Sequence, residues 1–257
     1  MEGFRKLEIN GGTVVDDSAV RLTIPSTESG YTNAQIDDYG GRKRRDYIWR
    51  PDQHVSLSVS LSLEARFSHP ADELSGTAGF GFWNAPFGDP TMPWPTLPKA
   101  TWFFLSAPPG DLPLNPDGSG QGFFASTLDA TTLKAISLAP LAPPVVLLNQ
   151  FSGFKKRVWP RVQQALGMSY QQLDHINITE WHDYELNWRP DGCVFSVDSN
   201  IVLKTDQSPK GPLGFVCWID NQYMAVTPTG RMSAGIRPID QSQWLEIRNL
   251  SIQKQQS

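Results

Sequence analysis

The chain has almost no cysteine, with only Cys193 and Cys217 in 257 residues. One bridge is the most they can form, so no disulfide framework holds this fold, and two buried thiols fit a chain of this length better. Metal-ligand spacing is missing too. There is no CxxC, and His54, His69, His175 and His182 form no HxH or HxxxH pair. Neither a metal nor a cofactor is expected. Charged residues are scarce at 19%, and the net charge is only −4. The densest basic run, GRKRRDY at 41–47, is short and contains an acid, so nucleic acid is not an expected partner. No apolar run nears the ~18 residues of a membrane span. The opening MEGFRKLEINGG lacks the apolar stretch of a signal peptide, which predicts a cytoplasmic protein. No internal repeat or linker divides the chain, so a single domain over 1–257 is expected, in an oligomeric state that the residues leave open.

Present in quantity are turn formers and large apolar residues. Glycine and proline number 21 each without a period, and 39% of the chain is apolar. Together they point to many strands joined by turns. The clearest strand is HVSLSVSLSLEARF. From Val55 to Phe67 apolar residues hold every odd position, while Ser56, Ser58, Ser60, Ser62, Glu64 and Arg66 hold the even ones. That is period 2, a strand with one face in a core. Further strands are read at 19–25, 32–39, 76–84, 100–107, 120–127, 181–188, 193–198, 214–220 and 243–253. In WHDYELNWRPDGCVFSVD, Tyr184, Leu186 and Trp188 alternate with polar residues and RPDG turns the chain, which predicts a hairpin. One segment departs from this pattern. Phe154, Val158, Val162 and Leu166 recur every four residues before Gly167, which is helical spacing, with Pro160 as a kink or a second start. A short helical insertion around 154–166 in an otherwise all-β, two-sheet antiparallel sandwich is the expectation.

The hairpin resembles a stretch of the family-16 glycoside hydrolases, within the concanavalin A-like lectin/glucanase superfamily. Trp181, His182, Tyr184, Trp188, Pro190, Val197 and Asp198 match its pattern, and Ser199 replaces a final glycine. LSLEARFS is similar to that family's YEARIK strand, GFVCWIDNQ to its NLW-bearing strand, and WLEIRNLSI to its closing YVDWVRV strand. The order is kept over roughly residues 30 to 253. The resemblance implies a concanavalin A-like jelly roll with a concave polysaccharide cleft and a structural rather than catalytic His182. The serine face is expected on the convex side, because Glu64 and Arg66 continue it and would be costly to bury without partners.

The family's chemistry is not carried over. Retaining glycosidases need two carboxyl groups ~5 Å apart, which that family sets on one strand as E-x-D-x-E. Aligning FFLS with the family's EFLG puts Lys99, Thr101 and Phe103 at those positions. No other register helps, because no Asp or Glu occurs between Asp89 and Asp111. What remains for the cleft is aromatic: Phe80, Phe82, Trp83, Trp94, Trp102, Phe103, Phe104, Phe123, Phe124 and Trp218, part of which must be core. The expected ligand-binding residues are Trp83, Trp94, Thr101, Phe103, Trp218, Asn221 and Gln222. Asp220 shares strand parity with Trp218 and is the candidate acid or base, its proton held by aromatic surroundings. The predicted function is a glycosidase-dead protein whose cleft binds a small, largely apolar ligand or a glycan. The alternative is a non-hydrolytic enzyme, a cyclase or isomerase of terpenoid or polyketide biosynthesis, using Asp220. Active glycoside hydrolysis is not expected.

Overall fold

The computed structural model of the chain describes residues 3–86, 95–112, 120–138, 152–227 and 232–256. Among them two seven-stranded antiparallel sheets face each other. The front sheet runs in the order β1 (Arg5–Ile9), β4 (Asn33–Asp37), β13 (Gly214–Asp220), β6 (Thr77–Trp83), β7 (Lys99–Ser106), β8 (Gly122–Asp129) and β9 (Ser169–Gln172). The back sheet runs in the order β12 (Asn200–Thr205), β11 (Gly192–Val197), β10 (His182–Arg189), β5 (Leu57–Phe67), β16 (Gln243–Gln256), β3 (Val20–Ile24) and β2 (Thr13–Asp16). A separate hairpin, β14 (Gln222–Val226) and β15 (Met232–Ile236), follows β13. The fold is thus the expected all-β sandwich. Among the described residues no helix is long and apolar enough to cross a membrane.

Alternation decides what enters the core. On β5, Val59, Leu61, Leu63, Ala65 and Phe67 are at most 3% exposed and point at the front sheet. The strand begins at Leu57 rather than Val55, because Ser56 has a φ of 48° and turns the chain there. The hairpin is where the sequence put it: Tyr184, Leu186 and Trp188 of β10 are buried, and Arg189 pairs with Gly192 across the turn. Rings lock the layers together. Phe103 of the front sheet meets Phe195 and Tyr184 of the back sheet edge-on at 5.3 and 5.0 Å, contacts of about 0.5–1.5 kcal/mol each beyond their burial. Cys193 and Cys217 are free and buried, and burial pushes the Cys193 thiol up to about 12.

The helical insertion is α2 (Ser152–Ala165), which runs through Pro160, and Gly167 follows it with its N–H on the carbonyl of Gln164 at 3.1 Å. A second helix, α1 (Leu133–Leu138), was not legible in the sequence; Thr132 caps it, accepting from the Ala135 N–H at 3.1 Å, and donates to the Ala165 carbonyl at 2.9 Å, tying the two helices.

The serine face of β5 lies on the outer side of the back sheet, away from the core. Three arginines and two tryptophans interleave beside it. Arg21 lies over Trp244 at 4.7 Å, Arg66 over Trp244 and Trp181 at 5.3 and 4.8 Å, and Arg248 over Trp181 at 4.3 Å. Glu246 bridges Arg21 and Arg66 at 2.7 Å each. Glu64 accepts from Arg248 and Asn249, and the Arg248 guanidinium holds its carboxyl below the ordinary value. His182 sits at the end of this face as a tie: its ring nitrogens meet Asp198 Oδ2 at 2.6 Å and the Asn177 carbonyl at 3.0 Å.

Candidate functional site

The outer side of the front sheet is built around an omission. In β6, Phe80 and Phe82 turn inward, and the positions alternating with them, facing out, are Gly79 and Gly81. Their φ angles are 156° and 149°, and a Cβ on them would stand 2.3 Å from the Phe103 carbonyl oxygen and 2.6 Å from that of Thr101. Strands two apart in a sheet are roughly 10 Å from one another. Over the bare glycines, however, rings from β13 and β7 meet. Trp218 lies 5.3 Å from Trp102 and 5.9 Å from Phe104, and stacks on Trp83 at 5.8 Å and 7°. Trp102 in turn stacks on Phe104 at 5.0 Å. Tyr39, Tyr47, Ala85 and Val216 pack against this group. Trp218 and Phe104 are therefore buried, and Trp83 and Trp102 keep part of their surface in solvent.

The other half of the face is polar. Asn33, Gln35 and Asp37 of β4 lie opposite Asp220, Trp218 and Val216 of β13, and all three are buried. Arg5 donates to Asp37 Oδ2 through Nε and Nη2 at 3.0 and 2.7 Å. Gln35 Nε2 donates to the same oxygen at 2.8 Å and to the Tyr39 hydroxyl at 3.2 Å, which also accepts from Trp83 Nε1 at 2.7 Å. The polar and aromatic halves are thus joined through Tyr39.

Asp220 closes one end of the face. Its Oδ1 accepts from the Thr77 hydroxyl at 2.8 Å, and that hydroxyl accepts from Trp218 Nε1 at 3.0 Å. The Gln222 N–H reaches the same carboxylate oxygen at 3.1 Å. Tyr31 brings its hydroxyl to 3.4 Å from Oδ2, and Asn33 Nδ2 donates to that hydroxyl at 2.9 Å. Burial raises the Asp220 carboxyl to about 7, against the pull of these hydrogen bonds. Burial and the Asp220 charge together raise the Tyr31 phenol. The arrangement can hold or release a proton near neutral pH at a carboxyl closed to solvent, with a half-buried phenol next to it.

The sequence-derived site is only partly assembled here. Trp83, Trp218 and Asp220 share the outer face. Thr101 and Phe103 do not, and their placement corrects the expected register. Both point into the core, where the Thr101 hydroxyl lies 3.6 Å from Cys193 Sγ and Phe103 meets the back-sheet rings. The residues of β7 that face out are Ala100, Trp102, Phe104 and Ser106, beside Trp83, Gly81, Gly79 and Thr77. Asn221 is not at a rim. It is fully buried and clamps backbone, donating to the carbonyls of Gly30 and Arg237 at 2.9 and 2.7 Å and accepting from the Thr32 N–H at 2.9 Å. Gln222 is exposed at the start of β14. Trp94 lies outside the described residues. Of the aromatic set, Phe80, Phe82 and Phe123 belong to the core. Sequence reasoning missed Tyr31, Asn33, Gln35 and Asp37. A polar i, i+2, i+4 row in a strand was the available signal. Among the described residues no group of three or more His, Cys, Asp or Glu is placed to hold a metal. Two pockets open elsewhere: one of about 420 Å³ between residues 26–28 and 238–240, and one of about 360 Å³ lined by Asp72, Phe123, Gln172 and Asp174.

No family model matches the chain, and no curated protein matches its sequence. Solved structures do resemble it. An endo-β-1,4-glucuronan lyase from the fungus Trichoderma reesei superposes with a TM-score of 0.51 at 11% identity, over 98% of this chain and 91% of that one. A structure from work on the endo-acting O-glycanases with which human gut microbiota initiate mucin breakdown gives 0.51 at 12%, over 96% and 84%. The fold is a concanavalin A-like jelly roll. At such identities the likeness extends to the fold alone. Alginate lyase AlyC3 in complex with dimannuronate, at 0.49 and 10% over 93% and 75%, is a weaker match. Within this jelly roll, the outer face of the front sheet holds the stacked tryptophans and the raised carboxyl, and the outer face of the back sheet holds the arginine ladder.

Proposed function

We propose that this jelly roll binds carbohydrate on the outer face of its front sheet and does not hydrolyse it by the two-carboxylate route. The observation behind this reading is the ring group on a face that is not the core. Trp83 and Trp102 keep solvent-facing surface there, and flat indole rings suit the apolar faces of sugars. No carboxylate accompanies them on β7, whose outward residues are Ala100, Trp102, Phe104 and Ser106. A largely apolar small ligand could use the same rings, but the buried polar row of β4 next to them favours a hydroxylated one. The structural neighbours named as lyases and O-glycanases are consistent with this class of ligand. Titrating the protein with oligosaccharides while following tryptophan fluorescence tests the reading. Trp102→Ala should weaken binding at least tenfold while the thermal transition remains cooperative. Unchanged affinity in that variant, or binding only of apolar dyes, would discard it.

Asp220 carries a second reading, that of an acid–base enzyme such as an isomerase or cyclase. It is supported by the carboxyl's rise to about 7 beside Tyr31. Turnover of a bound ligand that disappears in Asp220→Asn, with binding retained, would favour it over binding alone.

A further inference from the structure

The polar half of the front face holds acceptors that no described residue donates to. Asn33 Oδ1 and Asp37 Oδ1 are closed to solvent and have no hydrogen-bond partner among the described residues. The rest of each side chain is committed: Asn33 Nδ2 to the Tyr31 hydroxyl, and Asp37 Oδ2 to Arg5 and Gln35. Gln35 spends its amide hydrogens inside the row, on Asp37 and Tyr39. A buried acceptor without a donor costs free energy that a bound donor would return. The two orphans flank Gln35, which pairs across the strands with Trp218, so they border the ring group on its β4 side.

We infer that Asn33 and Asp37 set the specificity of this face, admitting sugars that bring hydroxyl hydrogens and rejecting sugars that bring a carboxylate. The inference rests on the carbohydrate reading above. A hydroxyl supplies a hydrogen to either orphan oxygen. A carboxylate supplies none, and it would meet the Asp37 carboxylate where screening by water is weak. Arg5 is the cation of this row, and Asp37 already holds it through two nitrogens. Both orphan atoms are closed in the free protein, so a sugar reaches them by moving the side chains that meet the row, Tyr31 at Asn33 and Arg5 at Asp37, and gains hydrogen bonds at the two orphan oxygens.

Matched ligands test this directly. Cellotetraose and the β-1,4-glucuronan tetrasaccharide differ only in a hydroxymethyl against a carboxylate, as do mannotetraose and tetramannuronate. Calorimetry at low salt should show the neutral member of a pair binding at least tenfold more tightly. Asn33→Ala should weaken the neutral sugar about fivefold, and Asp37→Asn should narrow the gap by improving the uronate. A uronate that binds as tightly as its neutral partner would overturn the inference and leave the carbohydrate reading standing. So would an unchanged ratio in Asn33→Ala, which keeps the test decisive if Asp37→Asn fails to fold. If no member of either pair binds, the carbohydrate reading itself falls, and the inference with it.

Discussion

The two outer faces of this sandwich are made from similar materials and finished differently. Each carries tryptophans, arginine and carboxylates on seven antiparallel strands. On the back sheet these groups answer one another: Glu246 takes Arg21 and Arg66, Glu64 takes Arg248, and the guanidinium planes cover the indoles of Trp244 and Trp181. On the front sheet the rings crowd together over two glycines, a carboxyl is pushed up to about 7, and two buried oxygens face no donor among the described residues. A face whose groups satisfy each other stabilises the fold. A face with unmet hydrogen-bonding capacity is where a ligand has something to gain.

The strongest way to break this comparison is to put the same side chain on both faces. Gly81→Val adds a Cβ 2.6 Å from the Thr101 carbonyl at a φ of 149°. Strain and overpacking should together remove about 4 kcal/mol or more, read by chemical denaturation. Ser60→Val, on the outer face of β5, should stay within about 0.5 kcal/mol of the parent. Equal losses would mean that the glycines do not create the ring site.

The pH dependence comes next in size. The Asp220 carboxyl lies at about 7 in the folded protein, against an ordinary value of 3.8. The folded state therefore binds this proton more tightly than the unfolded chain. Its contribution to stability is complete below about pH 4 and is lost as pH rises to about 7, amounting to at most about 4 kcal/mol at 1.36 kcal/mol per unit. Asp38, raised to about 6 chiefly by burial, adds a slope of the same sign at lower pH. Asp220→Asn should flatten most of the decline between pH 5 and 8 in thermal melts, and the variant should be more stable than the parent at pH 8. An unchanged slope would remove Asp220 from the account.

The back face supplies the smallest expected effect. Glu246→Ala leaves Arg21 and Arg66 without their shared carboxylate. Both arginines are partly exposed, with 45% and 34% of their side-chain surface open. The loss should therefore be about 1–2 kcal/mol, below the cost of breaking a fully buried pair. Oligosaccharide affinity should not change. If it does, the two faces are not as separate as their hydrogen bonding indicates.

The sequence made long alternating strands plain and short ones obscure. Thirteen residues of period 2 located β5, and the RPDG turn located β10 and β11. By contrast β1, β2, β9, β12, β14 and β15 have only four to six residues each, and of the strands this short only β3, β4 and β11 stand out in the sequence. The site was legible where parity could be read. Trp218 and Asp220 lie two apart and do share the outer face. Parity could not be read in ATWFFLSA, which is apolar at nearly every position, so aligning it by resemblance turned Thr101 and Phe103 outward. The neighbouring strand held the missing information. GFGFW alternates bulk with nothing, and only one parity of β7 has rings that can occupy the space the glycines leave. The polar row of β4 escaped notice because a buried Asn, Gln and Asp look, in sequence, like an exposed strand edge.

The glycines of β6 also bear on how the chain finds its pairing. If β6 slipped by one residue against its neighbours, Phe80 and Phe82 would press outward into rings that leave them no room. At the same time Gly79 and Gly81 would open holes between the sheets. The slip would be penalised on both surfaces at once, whereas an ordinary amphipathic strand is penalised mainly on one. A strand with two bare positions on its outer face is thereby among the least free to shift in its alignment.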